Sequence, residues 1–129
     1  LQASRHPKGY TIINNGFNTN PAASLRALEV LASYPGRHVV VTPGFIELGR
    51  QEQAANRQLG RDIAAVAQEV LLVGVERTRP IREGLMEVGF DENHIRAFPS
   101  LEEANRHAAQ AYGEGDVLLY ENDLPDQYS

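Results

Sequence analysis

Residues 10–21 read YTIINNGFNTNP, and this stretch decides how the rest of the chain is read. Thr11-Ile12-Ile13 is a β-branched run suited to a strand, and Asn20-Pro21 opens a helical pattern. Asparagine is a favoured N-cap, and a proline at the first helical position gives up an N–H that has no partner there anyway. Asn14, Asn15, Gly16, Phe17, Asn18 and Thr19 join the two. A strand therefore runs through a short polar loop into a helix.

The same alternation recurs down the chain. Further strand-like runs are His38 to Thr42, Glu69 to Val73, Ile95 to Phe98 and Val117 to Tyr120. The near-continuous apolar stretches VVV and VLLV suit strands covered on both faces. The first helix carries Leu25, Leu28, Leu31 and Ala32 as its expected buried face and ends at Pro35-Gly36. A second runs from about Gln51 to Ala67, with Ala55, Leu59, Ile63 and Val66 as its stripe. A third spans Pro80 to Val88, with Gly89 as a left-handed cap. The fourth opens on Ser100 with Glu103 three residues on, a capping box, and closes at Gly113. Strand–helix alternation predicts one α/β domain over residues 1–129, with a polar lead-in at 1–8. Its sheet is expected to be open and mostly parallel, of five to six strands, with helices on both faces.

Composition narrows the function. Hydrophobic residues at 42% and charged residues at 22% describe an ordinary globular chain. A net charge of −5 disfavours non-specific nucleic-acid binding, which requires basic surface. No apolar run approaches membrane-span length, so the domain is expected to be soluble and cytoplasmic, with no membrane partner. The absence of cysteine removes disulfides and thiolate chemistry. His6, His38, His94 and His107 lack metal-ligand spacing, and no G-x-S-x-G, G-x-x-x-x-G-K-[ST] or G-x-G-x-x-G motif is present. The domain is thus not expected to transfer a phosphate by itself.

In open parallel sheets, ligands bind at the carboxyl ends of the strands. One such loop holds Asn14, Asn15, Phe17, Asn18 and Asn20. These asparagines suit Asx-turns and capping, and equally suit donation to a nucleotide at a helix N-terminus. The next, Thr42 to Gly49, has apolar Phe45 and Ile46 beside Glu47. Such a tip docks either on the domain's own core or on another domain, and Glu47 either caps the next helix or meets a ligand. Arg77 and Arg79 precede the third helix, in a solvated turn whose threonine, Thr78, caps the helix, or in an anion site. After the last strand, Glu121, Asn122 and Asp123 begin an acidic end without Lys or Arg.

Taken in order, these motifs resemble the C-terminal domain of the Mur ligase family, closest to the branch that adds D-alanyl-D-alanine to the peptidoglycan precursor. That branch shows Asp-Asp-(Thr/Ser)-Tyr-Asn-Ala-Asn-Pro, matched here by Asn14 through Pro21, then Leu-Glu-Val-Leu, present as Leu28-Glu29-Val30-Leu31. Its Leu-Gly-Asp-Met-Leu-Glu-Leu-Gly corresponds to Thr42 through Gly49, and its Gly-Asp-Val strand to Gly115-Asp116-Val117. The resemblance implies a Rossmann-like domain that closes over ATP and an amino-acid or dipeptide acceptor. It also implies upstream N-terminal and central domains, the central one holding the phosphate loop and most Mg²⁺ ligands. The reaction class is ATP-dependent amide formation through an acyl phosphate, with this domain inactive in isolation. By that carry-over the nucleotide side is Asn14, Asn15, Phe17, Asn18 and Asn20. The acceptor side is Glu47, Arg77, Glu121, Asn122 and Asp123. No metal ligand is assigned to this domain. Asn14-Asn15 replace an aspartate pair, Gly44 replaces an aspartate, and Tyr120-Glu121-Asn122-Asp123 replace a basic Lys-Gly-Ser-Arg loop. The last change suits an acceptor carrying a cationic group. The competing reading is a non-catalytic small-molecule-binding or regulatory module on the same Rossmann-like fold.

Overall fold

The computed structural model describes residues 1–15, 20–46 and 48–121. Six strands alternate with four helices in the order β1 (Gln2–Arg5), β2 (Thr11–Asn15), α1 (Pro21–Ala32), β3 (Arg37–Thr42), α2 (Glu52–Ala64), β4 (Glu69–Val73), α3 (Arg79–Glu87), β5 (Ile95–Phe98), α4 (Leu101–Ala111) and β6 (Asp116–Glu121). They form one sheet of order β1-β2-β6-β3-β4-β5, in which β1 is antiparallel to β2 and the other pairings are parallel. The expected open α/β sheet is therefore present, with its sixth strand supplied by the lead-in. Gln2–Arg5 is exposed throughout, so no apolar pattern announces it; backbone pairing along β2 makes it a strand.

Handedness explains how the helices are distributed. The crossovers β2–α1–β3, β3–α2–β4 and β4–α3–β5 all advance in one direction, so right-handed connections place three helices on one face. The return from β5 to β6 places α4 on the other. Two cores follow. Leu28 and Leu31, Leu59 and Ile63, and Ile81 and Leu85 pack with Ile13, Val40, Val70, Leu72 and Leu119 on the three-helix side. Ala104, Ala108 and Tyr112 pack with Val39, Val41, Leu71 and Leu118 on the α4 side.

The helix ends bear out the local chemistry. Asn20 Oδ1 accepts from the Ala23 N–H at 2.8 Å, and Ser100 Oγ accepts from the Glu103 N–H at 3.2 Å. The Glu103 carboxylate lies 3.5 Å from that same hydroxyl, so the serine supplies the capping bond. Helix α3 ends in a Schellman motif, with Phe90 N–H bonding Leu85 C=O, Gly89 N–H bonding Met86 C=O, and Gly89 at φ +83°. The expected face of α1 needs correction: Leu25 is 47% exposed and Ala32 is exposed. Ala23, Ser24, Ala27, Leu28 and Leu31 face inward instead, because the 24/27/28/31 spacing follows the helical period that Leu25 breaks.

Helices α2 and α3 touch backbone to backbone. A Cβ on Gly84 would stand 1.9 Å from the Arg57 carbonyl oxygen, and one on Gly60 would stand 2.2 Å from that of Ile81. Arg57 and Arg61 fasten the outer side of this contact to Glu83 and Glu87. At the opposite end of the sheet from the carboxyl-end loops, Arg37 forks onto Asp116 at 3.0 and 2.9 Å and lies over the Tyr112 ring. The Tyr112 hydroxyl donates to Glu69, tying α4 to β4. Burial and this bond together push the Tyr112 hydroxyl well above the usual phenol range, so it remains a donor. Among the described residues, no helix is long and apolar enough to cross a membrane.

Candidate functional site

At the carboxyl end of the sheet, β2 and β6 finish side by side, with Asn15 paired in register to Glu121. The Asn15 amide donates to Glu121 Oε1 at 2.8 Å; Asn15 is 4% exposed and Glu121 0%. The apolar run suggested that β6 ended at Tyr120, but the ladder carries it one residue further and turns Glu121 inward on the α1 side. The Glu121 side chain thus meets a neutral amide across the strand ends. Ser24 in the first turns of α1 and Thr42 at the end of β3 are also buried polar residues at this end of the sheet.

The other face of the same two strands carries Asn14 and Tyr120. Asn14 is exposed and lies opposite Tyr120 on one side and Gln2 on the other. The Tyr120 hydroxyl donates to Asn105 Oδ1 at 2.6 Å, linking β6 to α4, and burial pushes its ionisation above the usual range. Asn20 is exposed, with its side-chain oxygen committed to the cap. Phe17, Asn18, Glu47, Asn122 and Asp123 lie outside the described residues.

The β3–α2 loop answers the question raised by its apolar tip, since Phe45 is buried in this domain's own three-helix core. Its backbone is grasped by Asn56. Asn56 Oδ1 accepts from the Phe45 N–H at 2.7 Å, and Nδ2 donates to the Phe45 carbonyl at 3.1 Å. Gly44 sits at φ +81°, and a Cβ there would meet Asn56 Oδ1 at 2.6 Å and Ile81 Cδ1 at 2.9 Å. Glycine is required both for the backbone angle and for the close approach. The aspartate that the resemblance expects at this position would be strained and crowded. Asn56 itself escaped the sequence reading, although its signal was present: a polar residue three before Leu59 and seven before Ile63, on the buried stripe of α2.

The β4–α3 turn is closed by Thr78, whose buried hydroxyl donates to the Gly74 carbonyl at 2.6 Å instead of capping α3. Arg77 is exposed and runs alongside Gly74, where a Cβ would meet its side-chain carbons within 3.1 Å. Arg79 is exposed, 3.6 Å from Glu76. Asn15 and Glu121 are thus brought together, while Arg77 stands apart. β4 is three strands from β2, about 15 Å at ordinary strand spacing. The candidate site is a strip along the strand ends, polar and anionic near β2–β6 and cationic near β4. Among the described residues, no group of three or more His, Asp or Glu side chains is placed to hold a metal.

Comparison with known proteins bears on the family and the fold. The family model described as Mur ligase, glutamate ligase domain, matches residues 1–120. A search of curated proteins returns no match. Among solved structures, the MurF ligase from Thermotoga maritima in complex with ADP superposes with a TM-score of 0.73 at 22% identity, over 92% of this chain and 26% of that one. MurF from Acinetobacter baumannii gives 0.73 at 23% identity, over 95% and 27%. A domain attributed to a UDP-N-acetylmuramate:L-alanyl-γ-D-glutamyl-meso-diaminopimelate ligase from Haemophilus ducreyi gives 0.61 at 14% identity, over 95% and 87%. At these identities the superpositions establish the fold. The chain spans about a quarter of the length of the two MurF structures.

Proposed function

Because the chain belongs to the Mur ligase glutamate-ligase-domain family, we propose that it is the C-terminal domain of a cytoplasmic ATP-dependent amide-forming ligase of peptidoglycan precursor synthesis. In this reading the strand ends contribute to nucleotide and acceptor binding, and upstream domains complete the enzyme. The observation that carries it is the Asn15–Glu121 pair, a buried polar pair at the carboxyl ends of adjacent parallel strands, where ligands of such sheets bind.

The described residues fit part of a nucleotide. Asn14, at the end of β2, and Asn20, at the start of α1, are exposed residues whose amide chemistry suits the uncharged parts of ATP. They do not fit its metal, since no carboxylate cluster is present among them, and the sequence has no phosphate loop. In this reading an upstream domain holds the phosphates and Mg²⁺. ATP supplies the phosphoryl group that activates a carboxylate for attack by an amine. This chain's part is to position the acceptor and exclude water as it closes. Arg77 suits the carboxylate of an amino acid or dipeptide, because a guanidinium fork matches that geometry. Glu121, buried at the end of β6, would favour an acceptor with a cationic group if it is ionised there.

The test is phosphate release by the full natural polypeptide, measured with ATP and a panel of amino acids and dipeptides. Release that depends on one acceptor class is expected. The alternative, a non-catalytic small-molecule-binding module, draws on the fold duties found for Asn20, Thr78 and Asn15. It prevails if no acceptor stimulates release while a small molecule still binds.

A further inference from the structure

Helix α4 covers its face of the sheet without a neighbouring helix, and it is lightly held. Its buried residues are Ala104 and Ala108, side chains that remove little apolar area from water. The helices of the other face sink leucine and isoleucine pairs into their core. Two phenolic hydroxyls tie α4 down, Tyr120 to Asn105 and Tyr112 to Glu69. Between these ties the half-buried His107 is wedged against the Phe98 ring of β5, 5.4 Å between centroids, and edge-on to Tyr112 at 5.9 Å. His107 Nε2 is buried and has no hydrogen-bond partner among the described residues.

A neutral ring can leave that nitrogen bare, but a protonated ring must place a charge and a donor where nothing accepts it. The charged groups that act on it are Arg96 from β5 and Glu69 from β4. Arg96 repels the proton, and Glu69 is already engaged by the Tyr112 hydroxyl and by Arg37 at 3.5 Å. Burial first, and Arg96 second, hold the imidazole below its usual range against the pull of Glu69. The neutral ring is therefore the docked form. A depressed folded value means that its hold on α4 is complete above about pH 6.5 and is lost as pH falls.

We propose that α4 is a proton-released cover: a proton on His107 opens the helix from the sheet while the three-helix face stays folded. Opening uncovers Val39, Val41, Leu71 and Leu118, the apolar strip beneath α4, and breaks the Tyr120–Asn105 bond one residue from Glu121. The inference stands on α4 and its contacts and does not rest on the ligase reading.

The test is hydrogen exchange in the full natural polypeptide, at pH 7 and pH 5.5 and over low denaturant concentrations. Rates are expressed as protection factors, so that the intrinsic pH dependence of exchange cancels. The α4 amides should be less protected than those of β3 and β4 and show a shallower denaturant dependence, as a local opening does. Their protection should fall by about threefold or more between pH 7 and pH 5.5. His107→Gln, which keeps a polar side chain and cannot take the proton, should abolish that fall. Arg96→Gln removes the repelling cation and should lessen it, and this variant decides the matter if His107→Gln does not fold. Three results would overturn the proposal: α4 protection that ignores pH, a fall that persists in His107→Gln, or α4 amides that open only with the whole domain.

Discussion

Asn15→Asp changes one atom group and should reveal what the strand-end pair stores. The substitution sets a second carboxylate against Glu121 across a contact of 2.8 Å, between residues that are 4% and 0% exposed. If both stayed ionised, repulsion at an effective dielectric of 20 would cost about 6 kcal/mol. Holding one carboxyl protonated at pH 7 is cheaper: roughly three pH units above an ordinary carboxylate, at about 1.4 kcal/mol each, comes to about 4 kcal/mol. The variant should take that route and share one proton across the pair. The sign follows from linkage. The shared site has a folded pKa raised above its unfolded value, so its contribution is present at low pH and lost as pH rises. The deficit relative to wild type should be about 4 kcal/mol at pH 7 and about 1.4 kcal/mol at pH 5, read by denaturant unfolding of both proteins in parallel. Adding Glu121→Gln to the variant replaces the repulsion with an amide-to-carboxylate bond in the reverse direction, and should recover most of the loss and flatten its pH dependence. A deficit equal at pH 5 and pH 7 would refute the reasoning, because only a charge can carry that slope.

Other outcomes follow from single contacts. Asn20→Ala should lower stability by about 1 kcal/mol through the lost cap on α1, measured by thermal or denaturant unfolding. Gly84→Ala should cost about 2 kcal/mol or more, since its Cβ would lie 1.9 Å from the Arg57 carbonyl oxygen and force α2 and α3 apart; Ala at exposed Gly89 provides the comparison without a packing clash. His107, packed against Phe98 and Tyr112, is held below the usual imidazole range by burial and then by Arg96. A depressed folded value means its contribution is present above about pH 6.5 and lost as pH falls below that, so His107→Leu should flatten the stability profile between pH 6.5 and 5.

The strands and helices were legible because burial on both faces writes continuous apolar runs, and half-buried helices write a period of 3.6. The features that were not legible share a cause: each depends on a partner distant in sequence. Gln2–Arg5 has no apolar pattern and becomes a strand because β2 offers an edge. Glu121 reads as the start of an acidic end, yet it is drawn inside by the ladder with β2 and the amide of Asn15, 106 residues away. Leu25 looks like core until α1 is rotated by its packing. Phe45 is ambiguous in sequence between two docking surfaces, and in the fold it joins the three-helix core. At the strand ends, Asn15, Asn20, Arg77 and Glu121 stand out in the sequence by their place after strand-like runs, while Asn56 does not, because a polar residue inside a helix usually signifies an exposed position. Here it marked a backbone that needed a partner.

The sheet order also dictates when this domain becomes whole. β6, the last of the described strands, is central, lying between β2 and β3 and pairing with both. Until it is inserted, the hairpin of β1 and β2 has no route to the β3–β5 half except through helix α1. A chain emerging from the ribosome can assemble β3, α2, β4, α3 and β5 early, from neighbours in sequence. It cannot close the sheet until residues 116–121 are free, and loop-closure entropy makes such a long-range insertion slow. The same event brings Glu121 to Asn15. A truncated or stalled chain would present two half-sheets with open parallel edges, the form most prone to pairing with another copy.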